Sequence, residues 1–308
     1  MIAIVGPTAS GKSDLSLAVA EHLEEAEIIN ADAMQLYRGM DIGTAKLRPE
    51  ERRGIPHHQL DVLEVTQEAS VASYQKYARQ DAKEIQARGR RPIFVGGSGL
   101  YLRAALDQID FPGTDPAVRA ALEQEAEELG AAALYERLSQ QDPKAAQTIE
   151  ANNLRRVIRA LEVITITGQP FSANLPDYTY HEPCWQIGLR PDPQLVAPFI
   201  DKRTRGMFAD GLLEETEALL KVGLAEAKTA SRATGYPQAM AVIAGRLSVE
   251  EAIEEVNLAT LQLAKRQIKW FKRDPRITWL DPLPEGKRLS PEELLRRLLD
   301  TQDGKALL

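Results

Sequence analysis

The segment Gly6-Pro7-Thr8-Ala9-Ser10-Gly11-Lys12-Ser13 constrains the fold more than any other stretch of the chain. It satisfies G-x-x-x-x-G-K-[ST] at every fixed position. Its flanks agree with the motif. Ile2–Val5 is a short apolar run that reads as a buried strand, and residues 14–23 carry Leu15, Ala18, Val19 and Leu23 at helical spacing. Glycines at both ends let the backbone curl so that its N–H groups face inward, and the following helix adds a partial positive charge. Lys12 contributes a full charge for terminal phosphates, and Ser13 offers a hydroxyl to Mg²⁺, a hard ion that prefers oxygen. The loop therefore specifies a phosphate ester, without saying which one.

Strand and helix patterns continue in alternation. Residues 27–30 and 92–95 read as strands, the latter running into Gly96-Gly97-Ser98-Gly99, with a helix over 71–88 between them. This order predicts an α/β fold, a P-loop NTPase-like core with a parallel sheet. From 115 to 167 only helical patterns occur: 115–129, 131–140, 143–149 and 152–167. Asp115-Pro116 and Asp142-Pro143 each place a capping acid before a proline, a common helix start. Residues 168–183, rich in Pro, Asn, Ser and Tyr, read as a loop, and 185–189 restores a strand. The expected organisation is a core of residues 1–110 and 189–308 carrying an all-helical insertion over 111–188. The last third reads as helical, with its longest pattern over 249–273 and a short strand at 277–280.

No apolar run at 92–95 ends in the aspartate of a motor ATPase; it ends in glycine, which argues against that class. Asp32 follows the second strand, at the sheet edge where α/β folds hold their sites. A carboxylate there can bind Mg²⁺ or take a proton from a nucleophile; it can equally cap a turn. One cysteine among 308 residues excludes an internal disulfide and a cysteine-based zinc site, and suits a reducing cytoplasm. The start MIAIVGPTAS lacks the form of a signal peptide, and no stretch is apolar for long enough to span a bilayer. A net charge of −7 speaks against a nucleic-acid partner in bulk, yet basic residues cluster at 154–159, 201–205 and 265–273. Lys265, Lys269 and Arg273 fall at i, i+4 and i+8, with Trp270 and Phe271 beside them expected in the core.

Taken together, GPTASGKS, residues 30–46 (NADAMQLYRGMDIGTAK), Pro56-His57-His58 with Leu60-Asp61, GGSGLYLR at 96–103, NLRRVIRALEV at 153–163, Thr234-Gly235-Tyr236 and LAKRQIKWF at 263–271 resemble the tRNA dimethylallyltransferases in their bacterial form. The resemblance runs in order through nearly the whole chain.

It implies that the exocyclic N6 amine of the adenosine 3′ to the anticodon, in tRNAs reading codons that begin with U, attacks dimethylallyl diphosphate and expels diphosphate. By this resemblance Asp32 is the general base, Gly6 to Ser13 hold the diphosphate with Mg²⁺, and Lys12 and Arg203 neutralise the leaving group. It likewise assigns tRNA contacts to Asp32, Ala33, Met34, Gln35, Ser98, Arg119, Arg155, Arg156 and Arg159. Gln35 could read the adenine edge through its amide. The sequence departs from the family at Ala33, where serine is frequent, and at Ser98, where threonine is common.

Without the family, Arg203 reads as a solvated helix arginine, and Arg155, Arg156 and Arg159 read equally as partners of nearby glutamates. His57 and His58 suggest a packed or hydrogen-bonded role. The loop is of the kind associated with nucleotide and ATP binding, but the expectation here is that it serves the prenyl diphosphate and that ATP is not consumed. The expected partners are dimethylallyl diphosphate and the tRNA anticodon stem-loop, with no membrane, and the expected assembly is a monomer. Rival readings are a small-molecule P-loop kinase, a prenyltransferase acting on free adenylate, and an RNA-binding module with an inactive loop.

Overall fold

The computed structural model describes residues 1–174, 178–301 and 304. Residues 175–177, part of the expected loop at 168–183, lie outside the described residues. The chain divides into two compact units, Met1–Leu106 with Tyr180–Leu308, and Asp107–Thr179. Residues 107–110 thus fall in the second unit. Residues 180–188, placed in the helical insertion by the sequence reading, fall in the first.

The first unit is built on strands β1 (Ile2–Val5), β2 (Ala26–Asn30), β3 (His57–His58), β4 (Arg91–Gly96), β5 (Trp185–Leu189) and β6 (Ile277–Leu280). All pairings are parallel, and the order across the sheet is β3-β2-β4-β1-β5-β6. β1, β2 and β4 are apolar runs because both faces are covered. One face packs on α1 (Lys12–Leu23). The other packs on α2 (Val71–Ala87) and α3 (Gly99–Leu106). In α2 the buried Tyr74, Ala78, Ala82 and Ile85 form the stripe that turns to the sheet, and Ser70 caps the helix by accepting the Ser73 N–H.

The two-residue β3 was not anticipated, since two histidines give no apolar signal. It pairs with Ile28 and Ile29 of β2. His58 Nε2 lies 2.6 Å from the buried Glu27 carboxylate, which also accepts from Arg88 and Arg90. Burial alone would raise the Glu27 pKa, but the bonds from His58 and Arg88 hold it below the usual carboxylate value.

The second unit contains α4 (Pro116–Leu129), α5 (Ala131–Gln141), α6 (Pro143–Ala146) and α7 (Leu154–Thr167) around Leu122, Leu134, Leu138, Ile149, Val157 and Leu161. Both Asp-Pro starts work as caps. Asp115 accepts from the Ala117 and Val118 N–H groups, and Asp142 from that of Ala145.

The first unit resumes with α8 (Ala197–Ala209), α9 (Leu212–Leu220), α10 (Tyr236–Ile243), α11 (Val249–Phe271) and, after β6, α12 (Pro291–Leu299). A satellite core gathers Tyr37, Met40, Leu212, Leu219 and Tyr236. Here the motif at 36–46 has a structural reason. Lys46 is buried and donates to Asp41, Asp61 and the Tyr37 carbonyl. The Glu215 carboxylate accepts the backbone N–H groups of Asp41, Ile42 and Gly43, and the Tyr236 hydroxyl. Phe271 is buried as expected. Trp270 is not: it is 37% exposed, with its indole laid over Gly99.

Candidate active site

The carboxyl ends of β1, β2 and β4 carry the loops that define the site. After β1 the chain enters the phosphate loop. Gly11 sits at the helix start with φ of 87°, a conformation that side chains resist, so the glycine there is a backbone requirement. Ser10 Oγ donates to the Pro7 carbonyl at 2.8 Å and holds the turn closed. Ala9 also lies in the left-handed region, at φ of 61°.

Lys12 Nζ donates to the Pro7 carbonyl at 2.6 Å. Burial pushes its pKa down to about 8; Asp32 pulls it back up and Arg203 pushes it further down. Arg203, on α8, donates to Thr8 Oγ1 at 2.7 Å. Its own pKa is lowered by burial, raised by Asp32 and lowered by Arg288. The structure thus brings Lys12 and Arg203 to one loop. The cluster at 201–205 is not a single basic face: Arg203 turns to the loop, while Arg205 pairs with Asp201 and Glu250.

After β2, Asn30 fastens the next loop through its side chain, accepting from the Asp32 N–H and donating to the Asp32 and Gln59 carbonyls. Asp32 Oδ1 accepts the Met34 N–H at 3.0 Å, so the turn-capping reading is realised. Asp32 Oδ2 accepts no hydrogen bond among the described residues and stays available. Ser98 Oγ, after β4, accepts the Ala33 N–H at 3.1 Å and joins the two loops. Their approach is so close that a Cβ on Gly96 would stand 2.2 Å from the Ala31 carbonyl oxygen; only glycine fits. Gln35 Nε2 donates to the Thr44 carbonyl at 3.1 Å, so this amide donor can read a base only if that bond opens.

Sequence reading missed Gln267 on α11. Its Oε1 accepts the Thr8 N–H at 2.9 Å and its Nε2 donates to the Gly97 carbonyl at 3.0 Å. One side chain ties the phosphate loop to the turn after β4. The segment 263–271 was conspicuous, but nothing local marks a glutamine whose partners lie far away in sequence.

In the second unit, Arg119 and Arg159 both donate to the buried Glu162, at 2.6 and 2.8 Å, and Arg159 also to the Pro112 and Gly113 carbonyls. Burial would raise the Glu162 pKa; these two arginines lower it. Arg155 and Arg156 are exposed. The structure therefore separates the expected arginines into a pair engaged in holding the unit together and a pair facing solvent.

Among the described residues no group of three or more His, Cys, Asp or Glu side chains is placed to hold a metal. Oxygen donors at the loop include the Ser13 hydroxyl and the Asp14 and Asp32 carboxylates. So sparse a set suits Mg²⁺, which keeps waters and takes phosphate oxygens as ligands. No helix among the described residues is long and apolar enough to cross a membrane.

Parallel sheet, loop after the first strand and helix behind it place the chain in the P-loop α/β class, a fold whose helix N-terminus suits phosphate groups. The family described as IPP transferase matches residues 35–274. The tRNA dimethylallyltransferase of Thermobifida fusca is 58% identical over 288 residues, covering 91% of this chain and 89% of that protein. That of Salinispora tropica is 52% identical, covering 93% and 89%. Among solved structures, the Staphylococcus epidermidis tRNA isopentenylpyrophosphate transferase shares 36% identity at a TM-score of 0.70, with 99% of this chain and 98% of that one covered. A eukaryotic dimethylallyltransferase acting on tRNA shares 26% identity at a TM-score of 0.81, with 100% and 77% covered. The chain belongs to the IPP transferase family.

Proposed function

We propose that this protein transfers a dimethylallyl group from dimethylallyl diphosphate to N6 of the adenosine 3′ to the anticodon in tRNAs that read codons beginning with U. The observation that carries this reading is the meeting of opposite charges at one sheet edge: Asp32 stands within electrostatic reach of both Lys12 and Arg203, and Arg203 bonds the phosphate loop itself. A carboxylate beside these cations suits a nucleophile that must lose a proton, a need that kinases share; membership of the IPP transferase family is what favours prenyl transfer over phosphate transfer.

In the reaction the adenine N6 lone pair forms a bond to C1 of the dimethylallyl group. The C1–O bond breaks, its electron pair leaves with diphosphate, and the surplus N6 proton passes to the open Oδ2 of Asp32. Backbone N–H groups of Ala9 to Ser13, with Lys12 and Arg203, stabilise the charge that grows on the leaving group, the kind of preorganised electrostatics that dominates such steps. The Ser13 hydroxyl would hold Mg²⁺, which would supply further neutralisation of the leaving group when bound. The loop serves the prenyl diphosphate, and no ATP is consumed.

For tRNA, residues 32–35 and Ser98 line the approach to N6, and the solvent-facing Arg155 and Arg156 are suited to backbone phosphates. Arg119 and Arg159 reach RNA only by sharing or releasing Glu162. The helical unit is the tRNA-contacting part, and anticodon loops, already partly open, suit a reaction on an unstacked base.

The test is incubation with Mg²⁺, dimethylallyl diphosphate and unmodified tRNA, followed by mass spectrometry of the digested RNA. Prenylated adenosine is expected on tRNA and not on free AMP, with Asp32→Ala slowing transfer about 10²–10⁴-fold. Product on AMP alone would establish the free-nucleotide enzyme instead, and ATP-dependent phosphate transfer without prenylation would establish a kinase.

A further inference from the structure

We infer that Arg288, in the segment between β6 and α12, is a third cation of the diphosphate site, binding the substrate's phosphate oxygens beside Gly11. This rests on the proposed use of the loop for a prenyl diphosphate and adds a residue that the sequence motifs do not mark.

The geometry is specific. One guanidinium nitrogen of Arg288 lies 3.3 Å from where a Cβ on Gly11 would stand, so the group rests against the bare face of that glycine. The same nitrogen is 3.6 Å from Asp14 Oδ2, a loose pair between side chains that are 41% and 51% exposed. The guanidinium centre stands 5.7 Å from the ring of Phe199 on α8, the helix that carries Arg203. Arg288, Ser10, Gly11, Asp14 and Pro282 line one cleft that opens to solvent. Electrostatic repulsion from Arg288 is felt at Arg203, as repulsion from Arg203 is felt at Lys12. Three cations thus converge on one loop against two carboxylates, Asp14 and Asp32. Such an arrangement is costly by itself and favourable around a multiply charged anion.

A surface pair at 3.6 Å contributes little to stability and is readily exchanged. Arg288 can leave Asp14 for a phosphate oxygen without breaking any buried contact. Its planar fork can present two parallel N–H groups to that phosphate, which a lysine cannot. Gly11 makes this possible, because any side chain there would crowd the guanidinium.

The test measures inorganic diphosphate binding by calorimetry and steady-state prenyl transfer to tRNA, on wild type, Arg288→Ala, Arg288→Lys and Asp14→Asn, each checked for thermal unfolding. Arg288→Ala is expected to raise the KM for dimethylallyl diphosphate and the diphosphate Kd about tenfold or more, as loss of a charged hydrogen bond does. The KM for tRNA should hold, and Arg288→Lys should recover part of the loss. Asp14→Asn, which frees Arg288, should tighten diphosphate binding. Unchanged diphosphate binding in Arg288→Ala would overturn the inference while leaving the transferase reading intact. So would an Asp14→Asn loss equal to that of Arg288→Ala, since it would reduce Arg288 to a structural partner of Asp14. A wild type that binds no diphosphate and prenylates nothing would end both.

Discussion

Lys46 is buried and Lys12 half-buried, and their surroundings differ in kind. Lys46 lies among two carboxylates and a carbonyl, each 2.6 to 2.8 Å from its nitrogen. Its charge is spent inside the fold. Lys12 touches a single carbonyl and feels Arg203 as well as Asp32. Its charge is left over. The first region is closed electrostatically and fixes a loop; the second is held open and attracts a ligand. Both motifs are equally conspicuous in the sequence, so conspicuousness alone does not separate scaffold from site. Charge balance in three dimensions does.

Substitution by methionine should break the comparison most sharply. Lys12→Met is expected to lower kcat/KM for prenyl transfer about 10²–10³-fold, as loss of one preorganised electrostatic group does, while leaving the thermal midpoint near wild type. Lys46→Met should do the reverse. It leaves the Tyr37 carbonyl and two carboxylates without their donor and should cost about 2–3 kcal/mol in denaturant unfolding, with kcat largely kept in the folded fraction. If Lys46→Met lost activity without losing stability, the division between the two regions would fail.

The smallest expected effect is a pH dependence confined to the open region. An anion favours protonated Lys12, whose pKa in the free protein is lowered to about 8. Below that value the proton is already present. Above it, binding must take up a proton, so affinity for inorganic diphosphate should fall by up to about tenfold per pH unit. Calorimetry on wild type and Lys12→Arg in parallel removes the ligand's own titration, because the guanidinium keeps its proton. An identical pH slope in the two would show that Lys12 does not titrate in this range.

Much of this was legible in the sequence for reasons that are themselves local. Strands buried on both faces write continuous apolar runs, and β1 and β4 were read from them, while β2, β5 and β6 were read from shorter, mixed patterns. Asp-Pro pairs announced α4 and α6, because the acid caps and the proline suits the first helical position. The phosphate loop is a contiguous motif, so its residues needed no fold to be found. What stayed hidden depends on contacts across the chain. β3 exists because β2 offers it a partner. Lys46 makes sense only once Asp61 and Tyr37 surround it. The arginines at 119 and 159 read as RNA ligands by resemblance, with glutamate pairing left open for Arg159, and only the fold shows that both bond Glu162. Trp270 was expected inside because it is large and apolar beside Phe271, yet one turn of a helix places neighbours on different faces. Arg288 lies in an ordinary segment, and only the folded chain puts it against Gly11.

Gln267 has a consequence for the order in which the molecule matures. The loop at residues 6–13 is made first on the ribosome, and of the two strands that flank β1, β4 is complete within the first hundred residues while β5 follows only at Trp185–Leu189. Its Thr8 N–H and the Gly97 carbonyl nonetheless share a side chain on α11, 259 and 170 positions later. Contacts of such long sequence separation form late, after the intervening chain has paid its closure entropy. A nascent chain therefore carries a recognisable phosphate loop through most of its synthesis without the clamp that sets its final shape. The side chain that ties the loop to the turn after β4 thus arrives with α11, the last helix but one.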